Sequence, residues 1–138
     1  MTRLAPGLAS IVLLLAACGE GGQNFSDALI GGTPREVITD NRSLVPGMFA
    51  EGTLTGGPGD YAVIKLSAPI AQIDWNIHGH ANDETQTVHE ELDVMTVDYT
   101  FQPTSAADWY LLVRNSSQGN LGVDIRVELF GDMAWAWL

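Results

Sequence analysis

Val123-Asp124-Ile125-Arg126-Val127-Glu128-Leu129 places an apolar side chain at every odd position and a charged one at every even position. Successive side chains of a β-strand point to opposite faces, so this stretch is a strand with one dry and one wet face. Met95-Thr96-Val97-Asp98-Tyr99-Thr100-Phe101 alternates in the same way. So do Trp109, Leu111 and Val113 against Tyr110, Leu112 and Arg114, and Ile73, Trp75 and Ile77 against Asp74, Asn76 and His78. Further strand-forming runs cover 48–55, 61–66 and 85–91. Gly56-Gly57-Pro58-Gly59-Asp60, Ser67-Ala68-Pro69, the Pro103 loop and 115–120 separate them as turns. Seven or eight short antiparallel strands, each with one dry face, predict an all-β chain whose two sheets bury those faces against each other as a single β-sandwich.

Length and charge narrow the function. A chain of 138 residues holds one domain. Six Lys/Arg against seventeen Asp/Glu give a formal charge of −11, which excludes the basic footprint of a nucleic-acid binder. It equally disfavours a protein held by charge on anionic lipid. The single cysteine, Cys18, can form neither an internal disulfide nor a Cys-based zinc site.

The N-terminus reads as a secretory signal. Arg3 is followed by an apolar run ending in Ile11-Val12-Leu13-Leu14-Leu15, too short for a mature membrane span. Leu15-Ala16-Ala17-Cys18 resembles the lipobox of bacterial lipoproteins. That resemblance implies cleavage of residues 1–17 and lipidation of Cys18. Several acyl chains, at about 0.8 kcal/mol per buried CH₂, make a stable membrane anchor. The mature chain would keep five Lys/Arg and seventeen acids, 5 − 17 = −12. Gly19, where an Asp would retain a sorted lipoprotein, favours the outer membrane of a two-membrane host. The expected organisation is a lipidated cysteine and flexible tether over 18–43, within which Glu36-Val37-Ile38 is a segment able to pair, then a sandwich over 44–138. Three Asn-x-Ser/Thr matches, at Asn24, Asn41 and Asn115, read as polar loops rather than glycan sites.

The segments Trp75-Asn76-Ile77-His78-Gly79-His80, Val97-Asp98-Tyr99-Thr100-Phe101-Gln102-Pro103 and Trp109-Tyr110-Leu111-Leu112-Val113-Arg114-Asn115 resemble a GOLD (Golgi dynamics) domain. In that family a strand ending in Phe-x-Ala/Pro leads through a loop to a Tyr-bearing strand and an Asn before the last strand. The resemblance covers about residues 48–130. The stretches 51–54 and 59–66 also resemble the pre-peptidase C-terminal sandwich. Both imply a binding or accessory module, with no catalytic residue carried over.

Two residue groups are candidate sites. His78 and His80, two apart on a strand, share a face, and all three histidines lie between 78 and 89. With His89 as a third ligand they would suit copper or zinc. Between Lys65 and Arg114 there is no Lys or Arg but eight acids, a favourable field for a cation. The competing reading is plain surface histidines, since a one-residue change of register turns His89 to the other face. In the tail, Trp135 and Trp137 are either a last strand covering a sheet edge or an exposed aromatic binding patch. Tyr110 and Phe130 are the aromatics expected on wet faces, whereas Trp75, Tyr99, Phe101 and Trp109 are expected in the core. Neither a nucleophile elbow nor a phosphate-binding glycine loop occurs. The sequence therefore predicts a non-enzymatic, membrane-anchored envelope lipoprotein that binds an envelope partner. An envelope copper- or zinc-binding protein is the alternative.

Overall fold

The computed structural model describes residues 32–81 and 84–138, so the expected signal segment and Cys18 lie outside the described residues. Among the described residues nine strands follow one another: β1 (Glu36–Leu44), β2 (Phe49–Gly56), β3 (Tyr61–Ser67), β4 (Ile73–Ala81), β5 (Glu84–Val94), β6 (Thr96–Phe101), β7 (Ala107–Asn115), β8 (Leu121–Phe130) and β9 (Ala134–Trp137). They form a four-stranded sheet ordered β1-β8-β3-β6 and a five-stranded sheet ordered β5-β4-β7-β2-β9, with every pairing antiparallel. Two sheets with one dry face each make the expected β-sandwich.

The alternation in sequence becomes the layer between the sheets. Val123, Ile125, Val127 and Leu129 of β8 and Ile64 and Leu66 of β3 face Leu54, Ile73, Trp75, Ile77, Leu111 and Val113. Trp75 and Phe101 are buried whole, and Trp109 meets Phe101 edge-on at 5.5 Å. Tyr99 lies half-buried at the flank of this core.

Strands at both ends of the chain extend the sandwich beyond the seven or eight expected. Residues 36–43, expected within the tether, are strand instead, because β1 pairs with β8 from Glu36 to Leu44. Arg35 reinforces it: its backbone N–H donates to Leu129 (2.8 Å) and its guanidinium to the carbonyls of Gly131 and Met133. The sequence marked only Glu36-Val37-Ile38 as able to pair, because further along Asp40 and Arg42 lie opposite the buried Ile125 and Val123, on the inward side. They pair with each other at 2.7 Å. Inward charge on an edge strand also discourages pairing with another chain.

At the other end β9 closes the five-stranded sheet against β2. Trp135 lies opposite Leu54 and Trp137 opposite Gly52, so both indoles point inward rather than forming an exposed patch. Trp135 packs where a Gly52 side chain would stand, and the Arg42 guanidinium covers Trp137 at 4.0 Å. Residue 52 must be glycine for this last strand to seat. Phe130 does stand on the outer side of its sheet, in line with Glu128, yet it is buried there, stacked on Tyr61 at 4.2 Å.

Candidate functional site

The outer face of the five-stranded sheet carries most of the polar residues that the sequence singles out. Residues directly opposite in an antiparallel ladder share a face. One row across it is Thr53, Tyr110, His78 and Thr87; the next is Glu51, Leu112, Asn76 and Glu90; the third is Phe49, Arg114 and Asp74.

His78 sits in the middle of this face yet is only 6% exposed. Tyr110 stacks on its ring at 5.4 Å and His80 meets it edge-on at 5.1 Å. Its Nδ1 lies 2.8 Å from Asn76 Oδ1 and its Nε2 lies 3.4 Å from Glu51 Oε1. Burial lowers the pKa of His78 below the usual 6.5, against an upward pull from Glu51 and with a further push down from His80. Desolvation outweighs the carboxylate here because the pair is not in close hydrogen-bond geometry.

His89 is elsewhere. It lies opposite Ile77, on the inward side of β5, and stacks on Tyr99 of the facing sheet at 4.2 Å. Its Nε2 reaches Glu91 at 3.1 Å, and Trp75 Nε1 donates to the same carboxylate at 3.2 Å. These hydrogen bonds, from His89 first and Trp75 second, hold the Glu91 carboxyl below its usual pKa. The expected three-histidine copper or zinc site is therefore not assembled. A register shift between Ile77 and His78 puts His89 on the dry side while His78 and His80 stay on the wet side. Among the described residues no three His, Cys, Asp or Glu side chains gather to hold a metal ion.

Two hollows flank the histidines. At one end, about 320 Å³ lies among His80, Gln86, Ser105, Asp108 and Tyr110. At the other, about 430 Å³ lies among Phe49, Asp74, Glu90, Leu92, Leu112 and Arg114. The second is bordered by well-exposed apolar side chains: Phe49 is 53% and Leu92 60% exposed, with Val45 and Met48 exposed in the adjoining turn. A wider hollow of about 560 Å³ on the four-stranded sheet is bordered mainly by polar side chains, among them Asn41, Lys65, Asp124 and Arg126. There Asn41 donates to Asp124 at 2.6 Å, Arg126 meets Glu128 at 2.7 Å and Lys65 approaches Asp98 at 3.8 Å. Several of its polar groups pair with one another, whereas the five-stranded sheet leaves Phe49 and Leu92 exposed beside its hollow.

Phe49 and Leu92 are residues that pattern reading alone did not mark. A signal was present in Leu112, an apolar residue on the wet side of an otherwise regular alternation.

The chain has the architecture of a two-sheet β-sandwich protein, and solved structures of that architecture resemble it. One is PliG, a periplasmic lysozyme inhibitor of g-type lysozyme from Aeromonas hydrophila, at a TM-score of 0.53 and 10% identity, covering 72% of this chain and 89% of that one. The Yersinia pseudotuberculosis-derived mitogen is similar at a TM-score of 0.50 and 15% identity, with the same coverage of 72% and 89%. A pre-peptidase C-terminal domain of collagenase from Bacillus anthracis lies lower, at 0.46 and 14% identity, covering 66% and 88%. At these identities the likeness is one of fold. No family model matches the sequence, and no curated protein matches it.

Proposed function

We propose that this chain is a membrane-anchored cell-envelope lipoprotein, lipidated at Cys18, whose GOLD-like β-sandwich is a non-catalytic binding module. The outer face of the five-stranded sheet is its binding surface. The observation that carries this reading is the hollow of the five-stranded sheet, where Phe49 and Leu92 stand more than half exposed, whereas the hollow of the other outer face is bordered mainly by polar side chains, several of them paired with one another. A non-catalytic role is supported by His78, the buried imidazole of that face, whose ring nitrogens already face Asn76 and Glu51. The lipobox-like Leu15-Ala16-Ala17-Cys18 supports the anchor. A periplasmic inhibitor built on a similar fold supports a binding role in the envelope.

The test is made in cells producing the full chain. Labelled palmitate is expected to enter the protein and to be lost in Cys18→Ala. A photo-crosslinking side chain at position 112 is expected to capture an envelope component, whereas one at position 39, on the other outer face, is expected to capture none. Equal capture from both faces, or from neither, refutes the assignment of the surface.

A further inference from the structure

We infer that the hollow at the Phe49 end of the five-stranded sheet docks a cationic, apolar-flanked segment of another protein. This rests on the reading of the chain as a binding module and names the chemistry of its partner.

The apolar component comes first. Phe49 projects from the start of β2, Leu112 from the middle of β7 and Leu92 from the bulged part of β5, and the three border one hollow of about 430 Å³. Met48 continues the surface into the β1–β2 turn and is 54% exposed. Clustered apolar side chains on an outer sheet face, rimmed by polar groups, are the signature of a macromolecular contact. A hollow of this size, at the low end of the roughly 300–1,000 Å³ range of ligand pockets, accepts one long side chain of a partner.

Charge selects the occupant. Asp74 and Glu90 line the hollow, with Arg114 as its one cation. Asp93 adjoins it, its N–H donating to Asp74 Oδ1 at 3.1 Å, and Glu51 lies in the next row beside Leu112. The immediate surroundings thus carry four carboxylates against one guanidinium. They belong to a chain whose formal charge as a whole is −11. A second copy of this chain would bring the same charge to the contact and be repelled. An anionic lipid surface or a nucleic acid would be repelled likewise. A segment that alternates Lys or Arg with apolar residues would gain on both counts. It would place its cation between Asp74 and Glu90 and its apolar side chains on Phe49 and Leu92. Such complementarity chiefly sets association rate and partner choice, so binding should weaken steeply with salt.

The experiment uses the full chain purified in detergent and two labelled synthetic dodecapeptides of equal apolar content, one with four Arg and the other with four Glu. Fluorescence anisotropy should show the Arg peptide binding at least tenfold more tightly, and more weakly at 300 mM than at 20 mM NaCl. Phe49→Ser, and separately the pair Asp74→Lys with Glu90→Lys, should each weaken binding at least fivefold. The pair Glu36→Lys with Asp124→Lys, an equal change of charge on the other sheet, should leave it within twofold. Circular dichroism melts confirm that every variant folds. Equal affinity for the two peptides overturns the proposal, as does undiminished binding by Phe49→Ser. Equal loss in the control pair assigns the attraction to overall charge and also overturns it. Self-association, or flotation with anionic phosphatidylglycerol vesicles, that Phe49→Ser abolishes assigns the surface to a second copy or to the membrane instead. If the dodecapeptides fail while position 112 still crosslinks an envelope component, the chemistry named here is wrong and the binding-module reading stands.

Discussion

Removing the side-chain amide of Asn115 should cost the fold about 3 kcal/mol, from three hydrogen bonds at about 1 kcal/mol net each. Asn115 is fully buried at the end of β7. Its Nδ2 donates to the carbonyls of Leu44 and Gly119, each at 2.8 Å, and its Oδ1 accepts from the Ser117 N–H at 2.8 Å. It therefore joins the end of β1 in one sheet to the β7–β8 turn that crosses between the sheets. In Asn115→Ala the Ser117 N–H and the Leu44 carbonyl lose this partner, while Gly119 keeps the Ser117 hydroxyl at 2.7 Å. With an m-value of about 2 kcal/mol per molar, the urea midpoint should fall by about 1.5 M. Tryptophan fluorescence reads the transition, since Trp75 and Trp109 are buried nearby in the same domain. Asn115→Asp should be worse than Asn115→Ala at pH 7, because it aims a carboxylate at two carbonyl oxygens inside the protein. Such an acid would have a folded pKa above its unfolded value of about 3.9. Its penalty would shrink as pH falls towards that value, the opposite of ordinary acid destabilisation. A loss under about 0.5 kcal/mol in Asn115→Ala, or an Asp variant more stable than the Ala variant at pH 7, would refute the reasoning.

Two further outcomes follow from the geometry. Gly52→Val should destabilise by roughly 2 kcal/mol, since even a Cβ there would lie 2.2 Å from the Trp135 ring, and overpacking costs about 1–3 kcal/mol. Expelled indoles should red-shift the native fluorescence, and an unshifted spectrum with unchanged stability would show that β9 does not rest on Gly52. His78, whose pKa burial lowers below 6.5, binds fewer protons folded than unfolded, so stability should fall as pH drops below about 6.5. His78→Gln should flatten that part of the profile, and an NMR titration should give His78 a midpoint below the ordinary value. A midpoint above 6.5 would mean that Glu51, not desolvation, governs the ring.

The alternation of β4, β6, β7 and β8 was legible in the sequence because each strand presents one dry face to the core. Asn115 illustrates how much less of its role was legible. As an Asn-x-Ser match it read as a polar loop, yet its amide is enclosed and committed to two carbonyls. The candidate site was half legible. His78, His80 and Tyr110 do share one outer face, as a two-residue spacing and strand pairing require. His89 does not join them, because a bulge is a property of two paired strands that neither strand records alone.

The sequence by itself determined that this protein is an acidic all-β chain with two sheets and a central dry layer. Side-chain period and net charge are local or additive, and folding does not alter them. Only the tertiary structure decided which ends belong to the sandwich and which outer face leaves Phe49 and Leu92 exposed beside its hollow. Glu36–Leu44 became a strand because β8 offered an unpaired edge, though its inward positions carry Asp40 and Arg42. Trp135 and Trp137 turned inward because Gly52 leaves room and Arg42 covers what remains. Phe49, Leu92 and Leu112 meet at one hollow because β2, β7 and β5, distant in sequence, lie in one sheet, β2 beside β7 and β5 across β4 from β7, a matter of register that no single strand encodes.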